Sequence, residues 1–384
     1  MKNYVSRIAG ILLVGASPST LLAAPPVVSN VTASQRAGTK LVDAYYSVAG
    51  SAPFTVWMEV STDNGATFTI PATSVTGDRG VGISEGSAKH IVWDAGNDWD
   101  GNYTAQCRVK ISATDSTVIA APAGMAYISA GAALGGSLVS AFYMDKFEVS
   151  KGMYLNVVTW GLTHGWSNLA VGNGAAPDHP IVIVSWYDCL KWCNARSEKE
   201  GLTPCYYTEA AQTNVYRTGD LDIQNTWVKW TANGYRLPTE AEWHRAAAGN
   251  ATTTYPWGNS VTGADCNYSN SGDPFSTASI PTTPIGYYNG STYTITSGTF
   301  ATNDRRNSFG LYDVCGNAWE WCWDWYGTYP TGTTNSQGPT TGTYRVMRGG
   351  AWPNDSSLSS LASRSGSIPS LVVPDYGFRC ARGL

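Results

Sequence analysis

Four tryptophans stand at positions 319, 321, 323 and 325, and Glu320, Cys322 and Asp324 fill the gaps between them. In an extended chain, alternate side chains share a face. The stretch "VCGNAWEWCWDWYG" thus predicts an aromatic wall on one side and an acid, a thiol and an acid on the other. Such a wall suits a ligand platform, a catalytic surface or plain core. The remaining chemical residues narrow the choice. The four histidines, His90, His164, His179 and His244, show no His-x3-His metal spacing, and His244 is expected on the surface of a helix. The "SRSGS" segment lacks the first glycine of a hydrolase elbow. Asp94, Asp98 and Asp100 lie close together, but without a calcium-loop spacing they read as a polar turn. Eight cysteines are present, and sequence alone fixes none of their pairings.

The chain must hold these residues on a scaffold that is short of helix signals. Of its 384 residues, 41 are glycine, 16 tryptophan and 22 tyrosine, and charged residues make up only 14%. This composition suits a loop-rich fold with aromatic packing. The net charge of −4, with no basic stripe, argues against nucleic-acid binding. Residues 1–24 read as a secretory signal. Lys2 and Arg7 precede "IAGILLVGAS", and small residues follow in "LLAAPP". The apolar stretch is shorter than the ~20 residues that span a bilayer, and no later segment replaces it. Export to the periplasm, cell surface or medium is therefore expected, and there structural disulfides are the default.

Residues 25–117 alternate like strands, with turns between them. "STDNGATF" carries the Asn-Gly pair of a tight hairpin. An immunoglobulin-like sandwich is the expected fold. Residues 118–124 read as a linker. In 125–384 three helix starts are legible: Ser150 as an N-cap, Ser185 with Asp188, and Thr239 with Glu242 as a capping box. Gly201 and Gly249 mark the ends of the second and third of these helices.

The blocks "FEVSKGMY", "HPIVIVSWYDCLKWCN", "GYRLPTEAEWHRAAAG", "YPWGN", "GLYDVCGNAWEWCWDWYG", "RVMRGGAW" and "YGFRCAR" follow one another in order. Together they closely resemble the formylglycine-generating enzyme family, the sulfatase-modifying factor domain. The resemblance covers roughly Gly124 to Leu384. It implies a mixed α+β fold of the C-type-lectin type, with little regular secondary structure. It also implies oxidation of a sulfatase cysteine to formylglycine, with copper held by two cysteines. Here those positions fall on Asn354 and Ser359, and Ala351 replaces a serine in the turn. An amide and a hydroxyl are poor partners for Cu(I), which prefers thiolates. The copper reading therefore loses its central residues.

The resemblance further implies a structural calcium held by the side chains of Asp313 and Glu320 and the carbonyls of Gly316 and Ala318. A second, weaker calcium site would begin at Asn267 and Tyr268, with Asp273 as a possible contributor. Trp319, Arg348, Trp352 and Arg364 would border the family's cleft; on their own terms, Arg348 suits a core carboxylate better and Trp352 suits packing. The family disulfide would link Cys193 to Cys380. Cys189 and Cys205 form a further candidate pair, and Cys107, Cys266, Cys315 and Cys322 stay unassigned. In that family context Trp321, Trp323 and Trp325 read as packing residues, with Trp319 the exception at the cleft, and a calcium loop that bends the chain at Gly316–Glu320 would make the strict alternation partly accidental. The expected function is an exported binding or scaffolding protein. Its ligand would be an extracellular or periplasmic protein, peptide or carbohydrate. The alternatives are the formylglycine-generating oxidoreductase itself, or a different chemistry in the same cleft.

Overall fold

The computed structural model describes residues 26–50, 53–68, 70, 72–102, 104–115, 121–295 and 298–384. The expected signal, 1–24, and residues 118–120 of the expected linker lie outside them. The chain divides into two compact units, Met1–Ala120 and Ala121–Leu384.

The described residues of the first unit are strands and turns with one short helix, Ala95–Asp98. One antiparallel sheet holds, in order, Val27–Gln35, Leu41–Ala49, Gly86–Asp94 and Val75–Gly77. A second holds Gly80–Ile83, Phe54–Ser61 and Arg108–Asp115. Along Leu41–Ala49 the buried residues are Ala44, Tyr46 and Val48, the period of two that a half-buried strand requires. They share one core with Phe54, Val56, Val60, Ile91 and Trp93 from both sheets. Asn64 and Gly65 both take positive φ, as a tight hairpin turn demands. The three clustered acids are each engaged in structure. Asp94 caps a short helix, Asp98 accepts from Thr73, Ser74 and the Trp93 indole, and Asp100 pairs with Lys40.

The second unit packs three helices against short strands. Ser150 caps Lys151–Gly161 by accepting from the Met153 N–H. Reciprocal capping boxes start Trp186–Lys199, at Ser185 and Asp188, and Glu240–Ala248, at Thr239 and Glu242. The helix Trp186–Lys199 is buried on nearly every side, so it is a core helix rather than an amphipathic one. One four-stranded antiparallel sheet orders Tyr235–Arg236, Ala381–Arg382, Phe142–Asp145 and Met125–Ile128. Another orders Ser365–Ser367, Arg345–Arg348, Trp319–Trp325 and Tyr376–Gly377, the last joined in parallel.

The tryptophan strand is fully buried and divides two cores. Trp319, Trp321 and Trp323 face one, with Trp186, Trp192, Tyr154 and Phe378. Cys322 faces the other, with Trp243, Leu311 and Val346. The alternation is therefore real along Trp319–Trp323, which corrects the expectation that a bend at Gly316–Glu320 would make it partly accidental. Three indole N–H groups on this seam have partners. Trp321 donates to the Val184 carbonyl at 3.1 Å, Trp323 to Asn225 at 2.9 Å and Trp186 to the Cys322 carbonyl at 2.9 Å. His244 is half-buried rather than on the surface. Its Nδ1 accepts from the Leu134 N–H, and burial with nearby Arg348 pushes the imidazole down to about 3.

Candidate functional site

The polar residues between the tryptophans build two buried charge nodes. Glu320 anchors the first. Arg379 grips it with both arms, Nη2 to Oε1 at 2.6 Å and Nε to Oε2 at 2.7 Å, and the Trp243 indole donates to Oε2 at 2.7 Å. Bidentate arginine–carboxylate pairs are the strong kind, and here both partners are wholly buried. Glu148 joins from another element. It accepts from the Asn317 amide at 2.7 Å and the Ala318 N–H at 3.1 Å. Burial, then the charges of Asp313 and Glu320, hold its carboxyl well above the usual range. Asp313 accepts from the Gly286 N–H at 2.6 Å, and burial pushes it up to about 6.

This arrangement does not fit the expected calcium ligand set. Both Glu320 oxygens are committed to protein cations or donors, and Asp313 turns to the Gly286 backbone. Among the described residues, no three His, Cys, Asp or Glu side chains are grouped to hold a metal. At the second expected site the Asn267 amide donates to the Pro281 carbonyl at 2.8 Å. Asp273 accepts from Ser271 and the Phe275 N–H, which keeps it within its own loop, and Tyr268 is half-buried. Those residues do not converge either.

Glu240 anchors the second node, and sequence reading missed it. Arg364 binds it at 2.6 and 2.7 Å, and Arg348 lies at 3.3 Å. Arg348 is wholly buried. Two of the four expected cleft residues are thus counterions of Glu240, Arg348 in the core and Arg364 half-buried. Trp319 is 5% exposed, and Trp352 is half-buried with its indole directed at the Pro374 carbonyl. Asp324 accepts from the Glu240 N–H at 2.7 Å. Burial, then the charge of Glu240, pushes its carboxyl up to about 8. Arg345 stacks between Trp186 and Trp325, 3.7 and 3.4 Å from the ring centres. Burial pushes it down to about 9, so it stays a cation at neutral pH.

The Asn354 Oδ1 and the Ser359 Oγ are buried with no hydrogen-bond partner. All eight cysteines are free thiols, and burial raises every one of them above its ordinary value. A thiol so held stays protonated, and the thiolate is the form that binds soft metals. The Cys193 and Cys380 sulfurs stand 3.7 Å apart. Cys189 and Cys205 are buried in the same core cluster.

Comparison with known proteins agrees with this architecture. The sulfatase-modifying factor enzyme 1-like domain matches residues 106–384. A chaperone protein LppX from Paenibacillus barcinonensis is 30% identical over 253 residues, 64% of this chain and 81% of that protein. A formylglycine-generating enzyme from Thermomonospora curvata is 32% identical over 215 residues, 53% of this chain and 56% of that enzyme. Other curated relatives are matched over as little as 21% of their own length. Among solved structures, Treponema denticola variable protein 1 superposes with a TM-score of 0.51 at 26% identity, covering 68% of this chain and 95% of that one.

Proposed function

The chain belongs to the sulfatase-modifying factor family, and within it we propose a binding protein rather than a copper oxidase. One observation carries this reading. At the positions where the resemblance puts the family's copper thiolates, this chain carries Asn354 and Ser359, whose side-chain oxygens are buried and unpaired, and its eight cysteines lie elsewhere in the sequence. An amide and a hydroxyl are hard, neutral donors that suit Cu(I) poorly. The relative named a chaperone, matched over 81% of its length, supports a binding role. The protein acts after export, on an extracytoplasmic ligand, with an immunoglobulin-like sandwich at its front. In that compartment Cys193 and Cys380 close a disulfide. The described residues contain no helix long and apolar enough to cross a membrane.

The test is a Cu(I) titration of the purified chain, followed by aerobic incubation with a Cys-x-Pro-x-Arg peptide. The expected result is no stoichiometric tight copper and an unchanged peptide mass. Conversion of the peptide cysteine to formylglycine would overturn the reading in favour of the oxidoreductase.

A further inference from the structure

The second unit carries an open cavity of about 430 Å³, where the first turns of the helix Trp186–Lys199 face residues 168–170 and 370–372. That size falls within the ~300–1,000 Å³ of ordinary ligand pockets. Its walls are fixed from behind. The Trp186 N–H donates to the Pro369 carbonyl at 2.9 Å, and the Ile183 N–H to the Val373 carbonyl at 3.1 Å. A gap pinned in this way keeps its shape before a ligand arrives, which lowers the cost of binding.

Lys191 forms the floor. Ser185, Asp188 and Lys191 follow at three-residue steps and share one helix face. The Lys191 side chain is only 3% exposed, and its Nζ lies 3.2 Å from Asp188 Oδ1 and 3.8 Å from Asp220 Oδ1. The helix cap aims Asp188. Its Oδ2 accepts from the Ser185 hydroxyl at 2.6 Å and the Ser185 N–H at 3.1 Å, which leaves Oδ1 for the ammonium. Asn168 and Ser370 add an amide and a hydroxyl, and Val372 beside Leu169 adds an apolar strip. Folding alone gives little reason for this arrangement. Burying an ammonium carries a desolvation cost that its partners must offset, and Asp220, the second of those partners, is itself mostly exposed.

The chemistry of the lining selects the occupant. The carboxylates only accept, the ammonium only donates, and the amide and hydroxyls do both. An anion entering the cavity meets Asp188 and Asp220, and a cation meets Lys191. A ligand hydroxyl can donate to a carboxylate and accept from the ammonium at once. A ring carrying adjacent hydroxyls and one C–H face matches both the polar set and the apolar strip. We propose that this cavity binds a neutral sugar ring of an extracytoplasmic glycan. The inference deepens the binding role proposed above and rests on it.

Saturation-transfer NMR on the full chain tests it, with glucose, galactose, mannose and N-acetylglucosamine as probes and lysine amide and glutamate as charged controls. At least one sugar is expected to bind, with affinity about tenfold weaker in Asp220→Asn and in Lys191→Met. Asp220 is 58% exposed, so its variant is expected to keep the wild-type thermal midpoint even if Lys191→Met folds poorly. Absence of binding by all four sugars, unchanged binding in Asp220→Asn, or binding of a charged control alone would overturn the inference. The copper assay separates the two proposals. Formylglycine formation with sugar binding intact defeats the binding-only reading, and a silent copper assay without sugar binding defeats the sugar site alone.

Discussion

Asp324 gives the sharpest test of the buried charge nodes, because Asp324→Asn removes one ionisation and changes little else. The carboxyl is 1% exposed, and burial pushes it from an ordinary 3.8 up to about 8. Its Oδ2 accepts from the Glu240 N–H at 2.7 Å, which an amide oxygen can also do. The folded chain thus keeps a proton up to about pH 8, while the unfolded chain releases it near 3.8. Between those values the native state binds more protons than the unfolded state, so this group's contribution falls as pH rises. Each pH unit in that window costs about 1.4 kcal/mol. From pH 5 to pH 7, wild type is expected to lose about 3 kcal/mol that Asp324→Asn does not lose. Urea unfolding of both proteins at half-unit steps from pH 5 to pH 8 measures the difference directly. The variant curve should cross above wild type as pH rises. Two parallel curves over that range would mean that Asp324 is already ionised in the fold, and the reasoning about its burial would be wrong.

Replacing Arg379 by Met leaves Glu320 buried without its cation, and a loss of about 3–5 kcal/mol is expected in chemical denaturation. Chelation should leave the wild-type thermal midpoint unchanged. A midpoint that rises with added calcium would show that Glu320 exchanges Arg379 for the ion. In reduced protein, a thiol reagent should modify half-buried Cys107 alone until unfolding exposes the other seven. Peptide mapping of oxidised protein should recover a Cys193–Cys380 link.

Local signals were legible in the sequence and distant ones were not. The caps at Ser150, Ser185 and Thr239 mark the three long helices among the described residues, because a helix start needs only residues within one turn of it. The strand alternation of the first unit was equally local. Glu148, Glu240 and Arg379 escaped notice because their partners lie far along the chain. Arg379 is 59 residues from Glu320, and Glu148 is 169 from Asn317. Nothing near Glu320 in sequence distinguishes a carboxylate destined for calcium from one destined for an arginine. The partner of Arg348 and Arg364 was hidden for the same reason, since they answer to a glutamate 108 and 124 residues upstream (348 − 240 and 364 − 240).

The second unit has few ladders to hold its loops, and side-chain nodes take over that task. Glu320–Arg379, Glu240 with Arg348 and Arg364, and Asp145–Arg196 each join segments distant in sequence. Buried pairs of this kind add little net stability compared with apolar packing, but breaking one is expensive, so they penalise alternative loop arrangements. The consequence is visible between residues 352 and 376. Backbone bonds pin that loop at Leu361, Pro369, Val373 and Asp375. Meanwhile Leu358, Ile368, Leu371 and Val372 point outward, each more than a third exposed. Because the backbone is held from beneath, those outward side chains carry little of the fold's stability. A binding protein needs such a surface, where side chains can answer to a ligand while buried charges keep the loop in place.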